Sequence, residues 1–291
     1  MQAAVTTGPP GSPIAVLREV VAELVRYREL LHELTVRDLR IRYKQAVMGV
    51  LWAVLMPLVI ALAGWMLRLA FSFMAGAPIV KAELAAIAVK AVGWSFFMGA
   101  LGFGTASITA NYPLVTKVYF PRVVLPLSSV ATQLIDSLVG ALGLVVVLPF
   151  LDTHFTAGLW WLPVLVVLLV LLTAGVTLLT SCANVFFRDA KHVVQLVMSF
   201  GIFFTPVFFP ADGFGARGVA WLMANPLGPI LEGARLAVVD GHNLAVPILN
   251  AAGVMTWSPW FLAWSALWAV LGTAAAAIVF HRAEFAFAEY V

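Results

Sequence analysis

Long apolar segments constrain this chain more than any other feature of its sequence. Six of them are long enough for a helix that rises about 1.5 Å per residue to cross roughly 30 Å of hydrocarbon. They cover residues 46–73, 84–110, 123–150, 160–185, 193–209 and 259–280. With 63% hydrophobic and 11% charged residues, the 291-residue chain has more apolar surface than a water-soluble core can bury. The sequence therefore predicts an all-α membrane protein with six transmembrane helices.

The lysines and arginines predict how these helices are oriented. Most of the 17 lie before the first segment, between the second and third, between the fourth and fifth, or after the sixth. Because basic residues accumulate in cytoplasmic loops, we expect these regions to be cytoplasmic. Six crossings then place both chain ends in the cytoplasm, in a multi-pass protein of the bacterial inner membrane.

The residues before the first segment follow a different pattern. Residues 1–13 are uncharged and rich in Gly, Pro, Ala and Thr, which predicts a flexible tail and not a signal peptide. In residues 14–34 of the segment 14–45, apolar residues recur at three- and four-residue spacing with charges between them. This pattern predicts an amphipathic helix on the cytoplasmic leaflet, ahead of a six-span membrane domain at 46–291. A soluble helix packed on a partner protein is the alternative.

The segment 211–258, between the fifth and sixth spans, is apolar but interrupted by Gly and Pro. We expect short periplasmic helices there, re-entrant or interfacial, at about 227–239 and 244–254. Glu232 and Arg235 are three residues apart and share a helix face, so they are candidates for an ion pair in a periplasmic gate. A surface pair that contributes little to stability is the alternative.

Several motifs of enzymes and nucleotide-binding proteins are missing from the sequence. It contains no phosphate-binding Gly-x-x-x-x-Gly-Lys-Ser/Thr loop, no Cys-x-x-Cys, no His-Glu-x-x-His and no Gly-x-Ser-x-Gly. Its five histidines are scattered, so no metal site is expected. We therefore expect no catalytic residues and no cofactor bound by this chain, which favours transport or assembly over catalysis.

Four stretches of sequence carry a more specific signal. They are IRYKQAVMGVLW at 41–52 with MPL at 56–58, TKVYFPRVVLPLS at 116–128, ANVFFRDAKH at 183–192 with FTPV at 204–207, and NPL at 225–227 with EGAR at 232–235. In this order, the stretches resemble the permease subunit of type-2 ABC transporters that export O-antigen, capsule or teichoic acid. The resemblance covers the chain from about residue 14 to its end.

The resemblance implies an ATP-driven exporter with a divided structure. The permease would be a homodimer bound to two separate ABC subunits, which would hold ATP and Mg²⁺. Its substrate would be a lipid-linked polysaccharide, often on undecaprenyl diphosphate, that moves from the cytoplasmic leaflet to the periplasm.

Two groups of residues near the cytoplasmic surface are candidates for functional sites. In the family, similar loops dock into the ATPase. The resemblance therefore assigns ATPase coupling to Tyr112, Lys117, Tyr119, Phe120, Arg122, Arg188 and Asp189. Membrane topology alone explains the positive charge of the basic residues among them. Arg37, Arg40, Arg42 and Lys44 precede the first span and are candidates for a lateral entrance that binds lipid phosphate. Attraction to anionic lipid explains that second group equally well.

Charged and aromatic residues inside the predicted spans need separate interpretations. Asp136 lies half-way along the third span, where we expect a polar partner more than a proton-coupling role. Arg68 and Lys90 are expected to snorkel to the outer interface. Trp160, Trp161, Trp257 and Trp260 are expected interface anchors. The candidate glycan path, with lipid-facing packing as its alternative, consists of Trp52, Trp65, Trp94, Phe96, Phe97, Phe200, Phe203 and Phe204.

Three other functions compete with polysaccharide export. An ABC exporter of a drug or a simple lipid belongs to the same superfamily. An ion-coupled secondary transporter that uses Asp136 would be supported by inverted repeats, and the sequence shows none. A membrane-embedded glycosyl or acyl transferase would need acidic or histidine pairs at a membrane surface, and none is evident.

Overall fold

The computed structural model describes residues 12–44, 48–76, 78–118, 120–154, 156–250 and 253–287. Within these ranges the protein is helical, apart from one short hairpin. Its helices are α1 Pro13–Arg26, α2 Arg28–Tyr43, α3 Leu51–Ala75, α4 Lys81–Thr105, α5 Ser107–Ala110, α6 Tyr112–Lys117, α7 Val124–Val147, α8 Leu162–Phe186, α9 Ala190–Gly201, α10 Gly215–Ala224, α11 Leu227–Val238, α12 Pro259–Leu267 and α13 Thr273–Glu284.

Five helical segments in the described part of the chain are long and apolar enough to cross a membrane. They are Leu51–Ala75, Lys81–Thr105, Val124–Leu151, Ala157–Phe186 and Pro259–Glu284. Short 3₁₀ turns extend two of them, and a π-helical turn at Trp268–Gly272 joins α12 to α13. The prediction of a multi-pass, all-α membrane protein is thus confirmed, with five membrane-length segments.

The remaining predicted span, 193–209, is shorter than expected. Here α9 and a following 3₁₀ turn, Ile202–Phe204, together extend about 22 Å at 1.5 Å per residue. Thr205 then adopts an extended conformation, with φ −126° and ψ 152°. This end has a clear physical cause, because the proline at 206 lacks an amide hydrogen and disfavours helical geometry in the residue before it.

The N-terminal region forms two helices where one amphipathic helix was expected. The Ser12 side chain accepts a hydrogen bond from the Ala15 amide and caps α1, and Pro13 occupies the first turn. The chain bends at Tyr27, between α1 and α2. The buried face of α1 packs in the same core cluster as Phe280 of α13, whereas α2 runs beside α7. Residues 1–11 and 45–47 of the expected tail and helix lie outside the described residues.

The segment 211–258 contains α10, α11 and a hairpin. Strands β1 (Ile248–Leu249) and β2 (Met255–Trp257) are antiparallel and pair Ile248 with Trp257 and Leu249 with Met255. The expectation of a second short helix at 244–254 is therefore wrong. Gly253 has a φ of +74°, and the Asn250 side chain accepts a hydrogen bond from the Val254 amide, so this stretch turns back on itself. Trp257 is an interior residue and not an interface anchor, and its Nε1 donates to the Leu244 carbonyl over 3.0 Å.

Helix α11 is almost entirely buried against α4, α8 and α12. The contact with α4 depends on Gly93, where a Cβ atom would lie only 2.5 Å from Cδ2 of Leu231. A similar approach occurs between α3 and α7, where a Cβ at Gly140 would lie 2.8 Å from the Ala53 carbonyl oxygen. Glycine at these two positions lets the helix backbones come close together.

Two ends of the helical bundle are distinguished by the chain segments that meet there. The starts of α1 and α7, the ends of α8 and α13, and Phe120 share one core cluster. We call this the basic end, because its neighbouring links contain Lys117, Arg122 and Arg188. The opposite end carries α10, the hairpin and α11, and α11 packs on α10, on Trp257 of the hairpin and on α4.

Candidate functional site

Charged side chains meet inside the protein between α4 and α11. The Nζ of Lys90 lies 3.4 Å from Oε2 of Glu232, and both side chains are almost fully buried. Arg235 donates from Nε to Oε1 of Glu232 at 2.7 Å and from Nη1 to Oδ2 of Asp240 at 2.7 Å. Burial alone would raise the pKa of Glu232, but the neighbouring Lys90 and Arg235 cations lower it overall. We call Lys90, Glu232 and Arg235 the buried ion cluster, and Asp240 is its exposed neighbour.

The buried ion cluster borders a cavity of about 110 Å³. Arg68 and Glu83 line its other side and form a two-pronged ion pair, with Nε and Nη2 of Arg68 lying 2.5 and 2.7 Å from the carboxylate oxygens. Arg68 keeps part of its side chain exposed, as expected for a residue near the interface. Lys90 does not, since it is only 2% exposed, and the expectation that it snorkels to the surface is wrong. The cause is Glu232, which offers a carboxylate inside the protein.

A second set of polar residues lies where α2 meets α7. Asp136 accepts hydrogen bonds from Nη1 of Arg42 and from the Tyr43 hydroxyl, the latter at 2.5 Å. The same Nη1 donates to Oε1 of Gln133 at 3.1 Å. The guanidinium also lies over the Phe103 ring, 4.2 Å from its centroid. Asp136 therefore has polar partners, and they come from a helix that precedes the first span.

The four predicted entrance residues do not form one cluster. Arg42 faces α7, whereas Arg37 bonds Asp38 at 2.8 Å and the Asn111 side chain at 3.1 Å. Arg40 and Lys44 are exposed. Since the chain turns about 100° per helical residue, only part of a run of neighbouring cations can face one partner.

The predicted coupling residues lie at the basic end with very different exposures. Tyr112, Lys117, Arg188 and Asp189 are exposed. Phe120 is 6% exposed and packs in the core cluster, so its ring is not available at the surface for a docked subunit. Tyr119 lies outside the described residues.

Arg122 ties this loop to the last helix. Its backbone amide donates to Oε1 of Glu284, and its Nη1 donates to the Glu284 carbonyl, each over 2.5 Å. The guanidinium also lies 5.9 Å from the Phe287 ring centroid. The loop before α7 is thus held to the end of α13.

The eight aromatic residues of the predicted glycan path fall into three groups. Trp94 and Phe96 are buried in the core of α4, each 2% exposed. Trp65 and Phe97 are half-buried, and the Trp65 indole donates to the Leu84 carbonyl at 2.8 Å. The others are exposed on α3 or near α9, and they are Trp52, Phe200, Phe203 and Phe204. The structure does not bring all eight to one surface.

The partners of the intramembrane charges were not evident from sequence. Arg42 and Asp136 are 94 positions apart, and Lys90 and Glu232 are 142 apart. The available signal was the charge itself, because an ionised group in an apolar segment needs a partner. Within the described ranges, no group of three or more His, Cys, Asp or Glu side chains is arranged to hold a metal ion.

Comparison with known proteins gives the family of the chain. Residues 29–239 match the model of the ABC-2 type transporter family. An O-antigen export system permease protein RfbA from Myxococcus xanthus is 31% identical over 245 residues, which cover 81% of this chain and 90% of that protein. A protein of the same name from Klebsiella pneumoniae is 28% identical over 218 residues, covering 73% of this chain and 81% of that one. The chain therefore belongs to the ABC-2 type transporter family, as a membrane permease that pairs with an ATP-binding subunit and not as an enzyme.

Proposed function

We propose that this chain is the membrane subunit of an ATP-driven exporter that moves a lipid-linked, O-antigen-like polysaccharide from the cytoplasmic leaflet to the periplasm. The observation that carries this proposal is its similarity to the Myxococcus xanthus O-antigen export permease, which extends over 90% of that protein. ATP and Mg²⁺ would bind to the partner subunit, and this chain would bind no cofactor.

The proposed topology has six crossings in the bacterial inner membrane with both chain ends in the cytoplasm. Five crossings are the membrane-length segments, and the sixth is α9 with the residues that follow it. Two observations support this. The 3₁₀ turn after α9 lies beside the residues that precede α11, where Asn225 Nδ2 donates to the Phe204 carbonyl over 3.5 Å. The links at the basic end carry the positive charge that is typical of the cytoplasmic side.

In this topology, α11 is a re-entrant helix of the periplasmic gate. Its 12 residues extend about 18 Å, which is too short to cross the membrane. Glu232 meets Lys90 about 14 Å along α4 from Lys81, at 1.5 Å per residue. The gate pair of Glu232 and Arg235 would therefore be anchored to α4 by Lys90.

The proposed assembly contains two copies of this chain and two ATP-binding subunits. Support for the homodimer comes from α9, which has no buried residue in the described structure of the single chain. Val193, Leu196, Val197 and Phe200 recur on it at three- and four-residue spacing and are all exposed. A second copy would cover this apolar face.

The exposed loops of the basic end would bind the ATP-binding subunits. Tyr112, Lys117, Arg188 and Asp189 are accessible for this contact. Phe120 and Arg122 would transmit movement, because they connect the loop to the helix core and to Glu284. The whole coupling set remains as proposed from the sequence, including Tyr119.

Lipid phosphate would enter near Arg37, Arg40, Arg42 and Lys44. Arginine suits this contact because its planar guanidinium binds phosphate oxygens through two hydrogen bonds. The glycan would pass along exposed aromatics near α9, whose rings offer apolar faces to sugars. Phe203 and Phe204 are the members of that set that stay accessible outside the proposed dimer face.

A deletion strain tests the proposed function. Loss of this chain should abolish the surface polysaccharide while lipid-linked polysaccharide accumulates inside the cell, and a plasmid copy should restore export. Unchanged surface polysaccharide would contradict the proposal. Normal polysaccharide together with lost export of a drug or a simple lipid would assign the permease to that alternative substrate class.

A further inference from the structure

The Arg42–Asp136 contact lies deep in the protein for a residue that precedes the first span. Asp136 is the thirteenth residue of the segment Val124–Leu151, so it lies about 18 Å from the start of that segment at 1.5 Å per residue. Asp136 itself is 4% exposed. Helix α2 thus places Arg42 beside the middle of the membrane-length helix α7, where an unpaired charge would be energetically costly.

Arg42 has binding capacity that Asp136 does not use. Among the described residues, its acceptors Asp136 and Gln133 both bind Nη1. Its Nε and Nη2 donate to no acceptor there. The side chain remains 23% exposed, whereas that of Asp136 is 6% exposed. The Nε–Nη2 edge of the guanidinium is therefore accessible, while Nη1 is bound by Asp136 and Gln133.

The neighbours of Arg42 suit an anion. The Gln133 amide accepts from Arg42 through its oxygen, which directs its NH₂ group elsewhere as a donor. The Tyr43 hydroxyl is a further donor, and Asp136 is the anion it now binds. A phosphate group has more acceptor oxygens than a carboxylate and matches the donor geometry of arginine.

We infer that Asp136 is an internal counter-ion of a phosphate site at Arg42, and that the phosphate group of a lipid reaches the accessible Nε–Nη2 edge and displaces Asp136 from Nη1. This inference rests on the proposed export function. We call the Arg42–Asp136 contact the latch, because it would hold α2 against α7 until lipid phosphate binds. With Asp136 bound, the inner end of α2 is held against α7. When lipid phosphate binds Arg42, the contact with Asp136 is lost and α2 is released.

If Asp136 and lipid phosphate compete for Arg42, removing the Asp136 charge should tighten phosphate binding. A purely structural role of Asp136 predicts weaker binding. The full chain is purified into phosphatidylcholine nanodiscs, and binding of undecaprenyl diphosphate is measured against undecaprenol, which has the same tail without phosphate. Asp136→Asn keeps the side-chain size and removes the competing charge, so it should bind the diphosphate about tenfold more tightly than the wild type. Arg42→Gln should abolish the preference for diphosphate over undecaprenol.

Further variants separate the latch from misfolding and from nonspecific charge effects. Tyr43→Phe removes one donor to Asp136 at constant charge and should tighten diphosphate binding by a smaller factor. Asp152→Asn removes an exposed carboxylate that pairs with Lys81, and it should leave binding unchanged. Each variant is first checked for a cooperative thermal unfolding transition and a single size-exclusion peak.

The outcomes are distinct for the latch and for the export function. Diphosphate binding that is weaker or unchanged in both Asp136→Asn and Tyr43→Phe would overturn the latch, since a positioning role predicts weaker binding. Equal tightening towards inorganic diphosphate would support the site and assign it to free phosphate. Polysaccharide export is measured separately in the deletion strain. Normal export without this chain would contradict the proposed function. Lost export, together with no tighter diphosphate binding in the variants, would contradict only the latch.

Discussion

The ammonium of Lys90 lies 3.4 Å from the Glu232 carboxylate and joins α4 to α11 inside the protein. Because both groups are buried, neither is fully solvated, and each depends on the other charges of the cluster. Arg235 and Asp240 extend the contact towards the surface. The position of α11 therefore depends on charge as well as on apolar packing.

Removing the Glu232 charge should strongly destabilise the protein. Glu232→Gln takes away the carboxylate that both Lys90 and Arg235 contact, and we expect a loss of about 3–5 kcal/mol in the free energy of unfolding. Unfolding in detergent micelles, followed by tryptophan fluorescence, measures this. The matched control is Asp152→Asn, whose pair with Lys81 is exposed and should contribute at most about 1 kcal/mol. Equal stability of the two variants would contradict a buried ion cluster.

A methyl group at Gly93 should force α4 and α11 apart. The added Cβ would lie 2.5 Å from Cδ2 of Leu231, so Gly93→Ala should cost about 1–3 kcal/mol of stability. Shortening the opposing side chain in the double variant with Leu231→Ala should recover part of the overpacking cost, as read from thermal unfolding. Gly102→Ala on the same helix meets only Met198 at 3.8 Å and should be neutral or stabilising. If Gly102→Ala also lowered the stability, α4 would be intolerant of substitution in general and the Gly93 contact would not be the cause.

Reversing the charge of Arg188 should weaken binding of the ATP-binding subunit. Arg188 is exposed in the link between α8 and α9, so Arg188→Glu should leave insertion and unfolding unchanged. We expect the affinity for the partner to fall by about 1–2 kcal/mol, or five- to thirtyfold, measured by co-purification and ATPase activity of the reconstituted complex. Arg217→Glu, an exposed arginine on α10 at the opposite end, is the control. Wild-type affinity for Arg188→Glu would remove this residue from the coupling set.

The attachment of α1 should weaken as pH rises. Burial raises the pKa of Glu23, His281 acts in the opposite direction, and Glu19 adds to the rise. In the described structure, Oε2 of Glu23 is buried without a hydrogen-bond partner. A carboxyl whose pKa is raised on folding favours the folded state most below its ordinary value of 4.5, and this preference disappears as pH increases through the raised pKa.

Hydrogen exchange of residues 13–26 between pH 5 and 8, corrected for intrinsic rates, tests the role of Glu23. Protection should fall with pH in the wild type, and Glu23→Gln should show much less change. Glu33→Gln serves as the control, because its side chain is 76% exposed and lies outside this contact. The same pH dependence in Glu23→Gln as in the wild type would assign the effect to the His281–Glu19 pair.

Polar substitution on α9 should dissociate the proposed homodimer. Leu196 and Phe200 are 60% and 58% exposed in the single chain, so Leu196→Asn with Phe200→Asn should disrupt a helix-to-helix interface by about 2 kcal/mol or more. Light scattering of the detergent-solubilised protein gives the oligomeric state. Val146→Asn on α7 is the control, since this residue is 67% exposed and lies on a different helix from the proposed interface. An unchanged mass for the α9 variant would show that this face contacts lipid or another subunit.

Local sequence patterns predicted the helices well where the local chain alone determines the structure. An uninterrupted apolar stretch such as that of α8 must satisfy its backbone groups internally in a membrane, so its length is enough to predict a helix. The turn within residues 244–254 was harder to predict from the sequence. There, Asn250 and Gly253 produce a hairpin that an apolar composition does not reveal.

By itself, the sequence determined the membrane location, the basic end and the family, because composition, charge distribution and ordered motifs are properties of the chain in one dimension. Only the tertiary structure decided that Lys90 is buried beside Glu232, that Phe120 packs in the core, and that Arg42 reaches Asp136. These contacts join residues far apart in the chain, and local periodicity carries no information on which helices meet. An intramembrane charge indicates that a partner is required, and the packing of α2 on α7 and of α11 on α4 selects which partner it is.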